Sequence, residues 1–308
     1  MRRCAKCGKK AQVFLPQHRL SLCGEHYIEW FENRVERTIR EFRMFSRWDK
    51  ILVAVSGGKD SLSLWQALIK LGYDADGFHI NLGIGNYSEM SNQIALKFAC
   101  KVGRTLHELH LAKEVMPVPD FRDYDKRPAC SLCGTLKRYY MNKVAKELGY
   151  SVVATGHNLD DESAVLFSNA LSWNIEYLER QYPVLPEENG FVKKVKPLCK
   201  VSEKESALYA VLSGIEYVED ECPMAQGATT IDYKLYLSQL EEKMPGIKLR
   251  FYSEFLRKLY PILKTQEQKA KLQKCKVCGE PSISDICSVC KLKIKISSRK
   301  YIHDQHGE

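Results

Sequence analysis

Apolar and polar positions divide the chain into short buried runs and longer amphipathic ones. Ile51-Leu52-Val53-Ala54-Val55 is an unbroken, β-branched apolar run, the pattern of a parallel strand covered on both faces. Leu62-Ser63-Leu64-Trp65-Gln66-Ala67-Leu68-Ile69 follows it with helical spacing. The alternation repeats as a strand over 76–81, ended by Gly83 and Gly85, a helix over 88–102, a strand over 105–109 and a strand over 150–155. A fifth strand falls either on 191–195 or on 215–218. Strand and helix in turn predict an α/β chain with a doubly wound parallel sheet, whose ligands sit outside the carboxyl ends of the strands.

Amphipathic helices flank this unit. From 25 to 48, Trp30, Phe31, Val35, Ile39, Phe42 and Phe45 fall on one side, while Arg34, Arg37, Arg40, Arg43 and Arg47 recur at helical spacing. Such an arginine face is either solvated or a contact to a nucleic-acid backbone. From 227 to 272 the pattern is all helical, with Ile231, Leu235, Leu240, Phe251, Phe255, Leu256 and Leu259 as its apolar positions. A Pro- and Asp-rich loop covers 116–128, and Ser202-x-x-Glu205 is a structural capping box.

Composition narrows the setting. The 308 residues carry 47 Lys+Arg against 38 Asp+Glu, a net charge of +9 that only weakly favours an anionic partner. No apolar run reaches the ~18 residues of a membrane span. Met1-Arg2-Arg3 has no apolar stretch behind it, so the expectation is a cytoplasmic chain without a leader. In a reducing compartment its 12 cysteines point to metal rather than disulfides. Cys4-x-x-Cys7 with Cys23-x-x-His26 has the spacing of a closed, structural zinc site. Cys275-x-x-Cys278 and Cys287-x-x-Cys290 have that of a zinc ribbon. Around the ribbon lie Lys269, Lys271, Lys274, Lys276, Lys291, Lys293, Lys295, Arg299 and Lys300, a basic stripe that reads as an RNA contact. The expected division is a zinc finger over 1–28, a catalytic domain with a leading helix over 29–226, a helical extension over 227–271, and a ribbon with a basic tail over 272–308.

The chemistry centres on Ser56-Gly57-Gly58-Lys59-Asp60-Ser61, between the first strand and its helix. Glycines let the backbone approach an anion, and the helix N-terminus presents free N–H groups. The spacing is not that of a Walker A loop. His79-Ile80 and Thr155-Gly156 should frame the same crevice, with the His79 side chain read as packing. Asp160-Asp161-Glu162 suits the start of a helix, and could also orient Mg²⁺ or handle a proton. Cys130-Ser131-Leu132-Cys133 opens another helix, where thiol pKa values fall. Cys100 reads as a core thiol, while Cys199 and Cys222 are candidate partners. Three readings stay open for the pair: a zinc site completed by Cys199, a redox or persulfide dithiol, or an iron–sulfur cluster.

The hexapeptide 56–61, Cys130-x-x-Cys133 and Ala154-Thr155-Gly156-His157-Asn158-Leu159-Asp160-Asp161, with Cys222 downstream and a zinc pattern at each end, resemble the tRNA 2-thiolation enzymes of the TtuA/TtcA group within the PP-loop ATP pyrophosphatases. The likeness covers nearly the whole chain. It implies an adenine nucleotide alpha hydrolase-like fold with ATP against Ala54, Val55 and Ser56. The phosphates would lie over Gly57, Gly58, Lys59, Asp60 and Ser61, the adenine edge near Ile80, and Gly156 and Asp161 would close the site. It implies a [4Fe–4S] cluster on Cys130, Cys133 and Cys222, with Lys137, Asp161, Cys130 and Cys222 in catalysis. It further implies zinc on Cys4, Cys7, Cys23 and His26 and on Cys275, Cys278, Cys287 and Cys290, with Mg²⁺ beside ATP. The implied reaction adenylates the C2 oxygen of a tRNA T-loop 5-methyluridine and replaces it with sulfur, from a ubiquitin-like carrier with a C-terminal thiocarboxylate. A cluster-free persulfide thiolase, a PP-loop ligase such as lysidine synthetase and a non-enzymatic RNA-binding protein are the alternatives. Monomer and homodimer are not distinguished by the sequence.

Overall fold

A computed structural model describes residues 2–225, 229–264 and 272–305, the last seven by backbone alone. The chain opens with an antiparallel hairpin, β1 (Val13–Leu15) and β2 (Leu20–Leu22), and enters α1 (Gly24–Glu41). Strict alternation follows: β3 (Ile51–Ala54), α2 (Lys59–Lys70), β4 (Ala75–Asn81), α3 (Gly85–Val102) and β5 (Leu106–His110). A short α4 (Leu111–Glu114) and a 3-10 turn over Val118–Asp123 lead to α5 (Ala129–Glu147), β6 (Val152–Thr155) and α6 (Leu159–Leu171). Next come α7 (Ile175–Leu178), the hairpin strands β7 (Val184–Leu185) and β8 (Lys193–Val195), and α8 (Glu203–Leu212). The extension is α9 (Thr229–Lys243), α10 (Ile247–Glu254) and α11 (Tyr260–Lys264), and the last module is β9 (Gln273–Lys274), β10 (Pro281–Ser282) and α12 (Ser288–Gln305).

The central sheet has the order β5-β4-β3-β6-β8-β7. Its first five strands are parallel, and β7 alone runs antiparallel on the edge. The fifth parallel strand is thus the 191–195 candidate, shortened to β8. Residues 215–218 form no strand, and the Val218 N–H instead donates to the Gly57 carbonyl at 2.9 Å. The edge strand β7 escapes a pattern reading because two residues have no period. The order reverses at β3, which has β4 on one side and β6 on the other, so a crevice opens above the carboxyl end of β3.

Alternate strand residues feed two cores. Ile51, Val53, Ala154 and Val195 join α1, α2 and α8 on one face. Leu52, Phe78 and Val153 join α5 on the other. The two cysteine-rich modules clamp opposite faces. Cys4, Val13, Leu22 and Cys23 belong to the first core, and Cys275, Cys287, Cys290 and Ile296 to the second. Glu205, the N3 residue of the capping box, also serves as the joint of the first module. Its Oε1 accepts from Gln17 and pairs with His18, each at 2.8 Å, and its carbonyl accepts from Tyr27 at 2.7 Å.

Several expectations are corrected. The leading helix stops at Glu41, not near 48. Arg43 turns left-handed (φ 48°), and the Met44 N–H bonds back to the Ile39 carbonyl at 3.0 Å because the Met44 side chain is fully buried. Its arginines are partly structural: Arg34 donates to the Lys200 carbonyl and Arg40 to Glu36. In the extension, Ile231, Leu235, Leu240 and Leu259 are exposed; Phe255, from the same set, is buried, and so is Leu237, which lies outside it. Pro261 cannot donate a helical hydrogen bond, and a π turn over Phe255–Leu259 precedes it. Cys100 is exposed on α3 rather than in a core. Lys269, Lys271 and the side chains of Arg299 and Lys300 lie outside the described residues, as do 227–228, 265–271 and 306–308. No helix among the described residues is long and apolar enough to cross a membrane.

Candidate active site

The crevice above β3 holds a cavity of about 380 Å³. Ala54, Val55, Ser56, Asp60 and Ser61 form one wall, Ile80 a second, and Gly156 and Asp161 a third. Gly58 and Lys59 line a second cavity of about 320 Å³, which meets the first across Ser56, Asp60 and Tyr87. Gly57 lines neither. Its φ is +81°, and a Cβ there would come 2.8 Å from the Ser91 carbonyl, so only glycine lets the loop rest on α3. A Cβ on Gly156 would meet the Ser61 N at 2.9 Å, so the β6 turn and the first turn of α2 are in backbone contact across the site.

Lysines near the crevice are largely neutralised from within. Lys59 Nζ lies 2.7 Å from Glu203 and 3.2 Å from Asp60. Lys234 pairs with Asp161, Lys248 with Asp160, and Lys196 with Glu162. The acidic run at the start of α6 is therefore tied to lysines. Asp161 in addition accepts from the Asn158 N–H at 3.0 Å in a capping box. Burial works to raise its pKa, and Lys234 and His157 outweigh that and hold it low. Asp60 goes the other way, because burial pushes it up more than Lys59 pulls it down.

The cysteine trio assembles beside this cavity. Cys130 and Cys133 lie in the first turns of α5, and Lys137, one turn on, lines the cavity. The 215–222 segment, anchored by Val218 on Gly57, carries Cys222 into the wall of the second cavity. Cys130 Sγ donates to the Met224 carbonyl at 2.9 Å, fixing this segment on α5. Burial pushes the Cys133 thiol up, the Lys137 ammonium pulls it down, and Cys222 and Cys130 push it up again, for a net rise. Cys199 is apart from them, fully buried in the first core with its thiol pushed up by burial, so a zinc site completed by Cys199 is overturned.

The other thiols gather more tightly. Ligand atoms of Cys4, Cys7, Cys23 and His26 lie within 4.8 Å of one another, as do those of Cys275, Cys278, Cys287 and Cys290. Cys7–Cys23 and Cys278–Cys287 are each 3.8 Å between sulfurs, the edge of a tetrahedron with Zn–S bonds of about 2.3 Å. Burial raises Cys4 and Cys275, but backbone N–H groups outweigh it and bring both to about 6. Cys287 and Cys290 are instead pushed up by burial and by the neighbouring thiols of their quartet, and in Cys7 the Lys9 N–H pulls down but burial and the neighbouring thiols outweigh it. The trio is not drawn to one point in this way. A multi-iron cluster gives each thiolate its own iron, so wider spacing suits it.

Sequence reading placed His79 at this crevice but took its side chain as packing, and gave Tyr87 and Met141 no part in the site. His79 does more than pack: its Nδ1 lies 2.9 Å from the Val55 carbonyl and donates to it, burial lowers its pKa, and Nε2 is left an unpartnered acceptor. Tyr87 and Met141 also line the cavity, as does His157 of the 154–161 motif; Tyr87 and Met141, lone residues inside helices, gave no signal for it.

A glycine turn of this kind over a nucleotide-sized crevice defines a PP-loop nucleotide-binding enzyme, and the PP-loop domain model matches residues 31–227. The model for the N-terminal LIM domain of the 2-thiouridine synthetase TtuA matches residues 3–28. The chain is 48% identical to the tRNA-5-methyluridine(54) 2-sulfurtransferase of Thermus thermophilus, over 94% of this chain and 90% of that protein. It is 44% identical to the protein of the same name from Pyrococcus horikoshii, over 94% and 93%. The U34-tRNA thiolase NcsA of Methanococcus maripaludis, solved with its [4Fe-4S] cluster, superposes with a TM-score of 0.78 at 26% identity, covering 95% of each chain. The chain belongs to the TtuA family of tRNA-5-methyluridine(54) 2-sulfurtransferases.

Proposed function

We propose that this protein replaces the C2 oxygen of a tRNA T-loop 5-methyluridine with sulfur at the expense of ATP. One observation carries the reading: Lys137 lines the nucleotide cavity and lies one turn from Cys133 on α5, where its charge pulls on that thiol, which supports activation and sulfur transfer sharing one helix. The uridine O2 attacks the α-phosphorus, and the bond to pyrophosphate breaks over the PP-loop. A sulfide nucleophile then adds at C2, and the C2–O bond breaks to release AMP. Lys137 stabilises charge on the phosphate oxygens in both steps. His79 Nε2 offers an acceptor to a ligand N–H or O–H, and Asp161 and His157 hold the wall that closes over the nucleotide. Asp60 and Asp161 supply the hard oxygens that a Mg²⁺ beside the phosphates takes.

Cys130, Cys133 and Cys222 fit a [4Fe–4S] cluster with three protein ligands, and such a cluster, when bound, supplies an open iron to hold sulfide. Zinc in each quartet is structural, all four positions being filled by protein. Cys222 lines the second cavity together with Gly58 and Lys59 of the phosphate loop, so sulfur delivered along that wall, from a ubiquitin-like carrier with a C-terminal thiocarboxylate, would arrive next to the nucleotide. Thiol-rich metal sites of this kind belong in a reducing, cytoplasmic setting.

The test is metal and sulfide analysis of anaerobically purified protein, native and Cys222→Ala, alongside tRNA-dependent pyrophosphate release. Iron and sulfide in a cubane's ratio, lost in the variant while about two zinc remain, support the reading. Little iron with zinc unchanged overturns the cluster and leaves the trio to persulfide chemistry. Absent tRNA-dependent pyrophosphate release overturns the thiolase itself.

A further inference from the structure

Besides Lys137 in the cavity wall, two cations beside the active site stand outside the neutralised set among the described residues. Lys59, Lys196, Lys234 and Lys248 each have a carboxylate. Lys194 and Arg138 have neither an ion pair nor a hydrogen bond among the described residues. Lys194 lies on β8 in register with Val153, on the α5 side of the sheet, two residues below Thr155 at the rim of the nucleotide cavity. Arg138 is the residue after Lys137 and one turn before Met141, both of which line that cavity.

Lys194 is half-buried and Arg138 exposed, and the charges that bear on Lys194 are Arg138 and Lys196, both positive. Burial, then these two neighbours, bring Lys194 down to about 8. Holding a cation away from water and against others is costly unless an anion arrives. Burial, then Lys196, lowers the pKa of His157 on the cavity wall against the pull of Asp161 and Glu162, and Lys194 adds to the lowering.

We propose that Lys194 and Arg138 form a binding site for a backbone phosphate of the RNA strand that presents its base to the cavity. The proposal rests on the RNA-modifying reading above. The cavity between β3, β4 and β6 takes the mononucleotide, whose phosphates belong over 56–61. A second phosphate held by Lys194 of β8 and Arg138 of α5 would sit next to that cavity, where a base entering beside the nucleotide would leave its own sugar-phosphate. Phosphate contacts of this type position a strand without reading its sequence.

The experiment measures tRNA affinity across a salt series for wild type, Lys194→Met, Lys194→Arg and Arg138→Gln, with ATP affinity and thermal midpoint for each. Lys194→Met should weaken tRNA binding about tenfold, the scale of one charge-assisted contact, and lower the log–log salt slope by about 1. Its thermal midpoint should rise, since an unpaired half-buried charge is replaced by an apolar group. Lys194→Arg should restore most of the affinity, Arg138→Gln should act in the same direction as Lys194→Met, and ATP affinity should hold throughout. Wild type that binds no tRNA overturns the RNA reading and this site together. Wild-type binding that Lys194→Met leaves unchanged overturns the site alone, as does a loss of ATP affinity in place of tRNA affinity. A fall in thermal midpoint would mark Lys194 as a structural residue and overturn it too.

Discussion

Gly156→Ala is the sharpest test of how the site is built. The added Cβ would lie 2.9 Å from the Ser61 N, 3.0 Å from the Asp60 carbonyl carbon and 3.0 Å from the Ser61 Cα. Ordinary contact begins near 3.4 Å, so about half an ångström must open between the β6 turn and α2. The opposing atoms are backbone in the first turn of a helix whose Leu62, Leu64 and Trp65 are fully buried, so α2 cannot tilt away freely. Overpacking of this kind costs about 1–3 kcal/mol. For a chain of this length that is a fall in Tm of roughly 2 °C per kcal/mol. The gap opens across the nucleotide cavity itself, so ATP affinity should drop about tenfold, the equivalent of 1.4 kcal/mol. Calorimetric titration with ATP reads the affinity and differential scanning the stability. Gly149→Ala is the control: φ is +73° but nothing lies within 4 Å, so it should lower Tm and leave ATP binding intact. Wild-type ATP affinity in Gly156→Ala, with Tm lowered, would refute the claim that this contact shapes the nucleotide site.

Two further outcomes follow from the modules. Glu205→Ala should destabilise by about 3–5 kcal/mol, because it strips His18, Gln17 and the Ser202 N–H of a buried charged partner. Burial raises Glu205, but His18 and the Ser202 N–H outweigh it and hold the carboxyl below its ordinary 4.5. Its stabilisation is therefore full above pH 4.5 and lost as pH falls through the lower folded value; a wild type that matches Glu205→Gln from pH 7 down to pH 3 in a thermal scan would contradict this. Removing the zinc proposed for the C-terminal quartet with a chelator, or disrupting the quartet by Cys275→Ser, should raise amide exchange in α5, since Glu280 holds Asn142 and Lys146 of that helix at 2.6 and 2.7 Å. Unchanged α5 protection would detach the ribbon from the active site.

Period and punctuation made the core legible. The β-branched run at 51–55, the glycines at 57 and 58 and the acidic helix start at 160–162 each combine a local pattern with a physical need, and β3, α2 and α6 fall where those patterns put them. Legibility failed where tertiary contacts decide. Nothing local stops α1 at Glu41, because Arg43 adopts a left-handed turn to bury Met44. The apolar residues Ile231, Leu235 and Leu240 repeat at helical spacing yet stay exposed, since α9 docks on α6 through Leu237, the Phe167–Tyr233 ring contact and the Lys234–Asp161 pair. The site was readable where residues are contiguous, as in 56–61. It was opaque where a single side chain such as His79 or Tyr87 reaches it from another strand or helix.

The placement of the modules changes what the ribbon is for. Its lysines suggested an RNA contact, but the described residues tie it to α5 as well. Cys275, Cys287 and Cys290 pack in the core that holds Leu132, Leu136 and Tyr140, and Lys293 reaches Glu114 at 3.7 Å. The same helix carries Cys130, Cys133 and Lys137 on its other turns. A helix start that must present two thiols and an ammonium at fixed spacing gains nothing from its own opening turn, where Pro128 provides no side-chain cap. Its rigidity has to come from packing along its length. A knuckle whose four cysteines gather to one point, closed by the zinc proposed for it, supplies that packing without needing a large core of its own. The ribbon thus supports the chemistry from behind, and the N-terminal module, through Glu205 on α8 and the α8 contact with Lys59 at Glu203, does the same for the PP-loop from the opposite face.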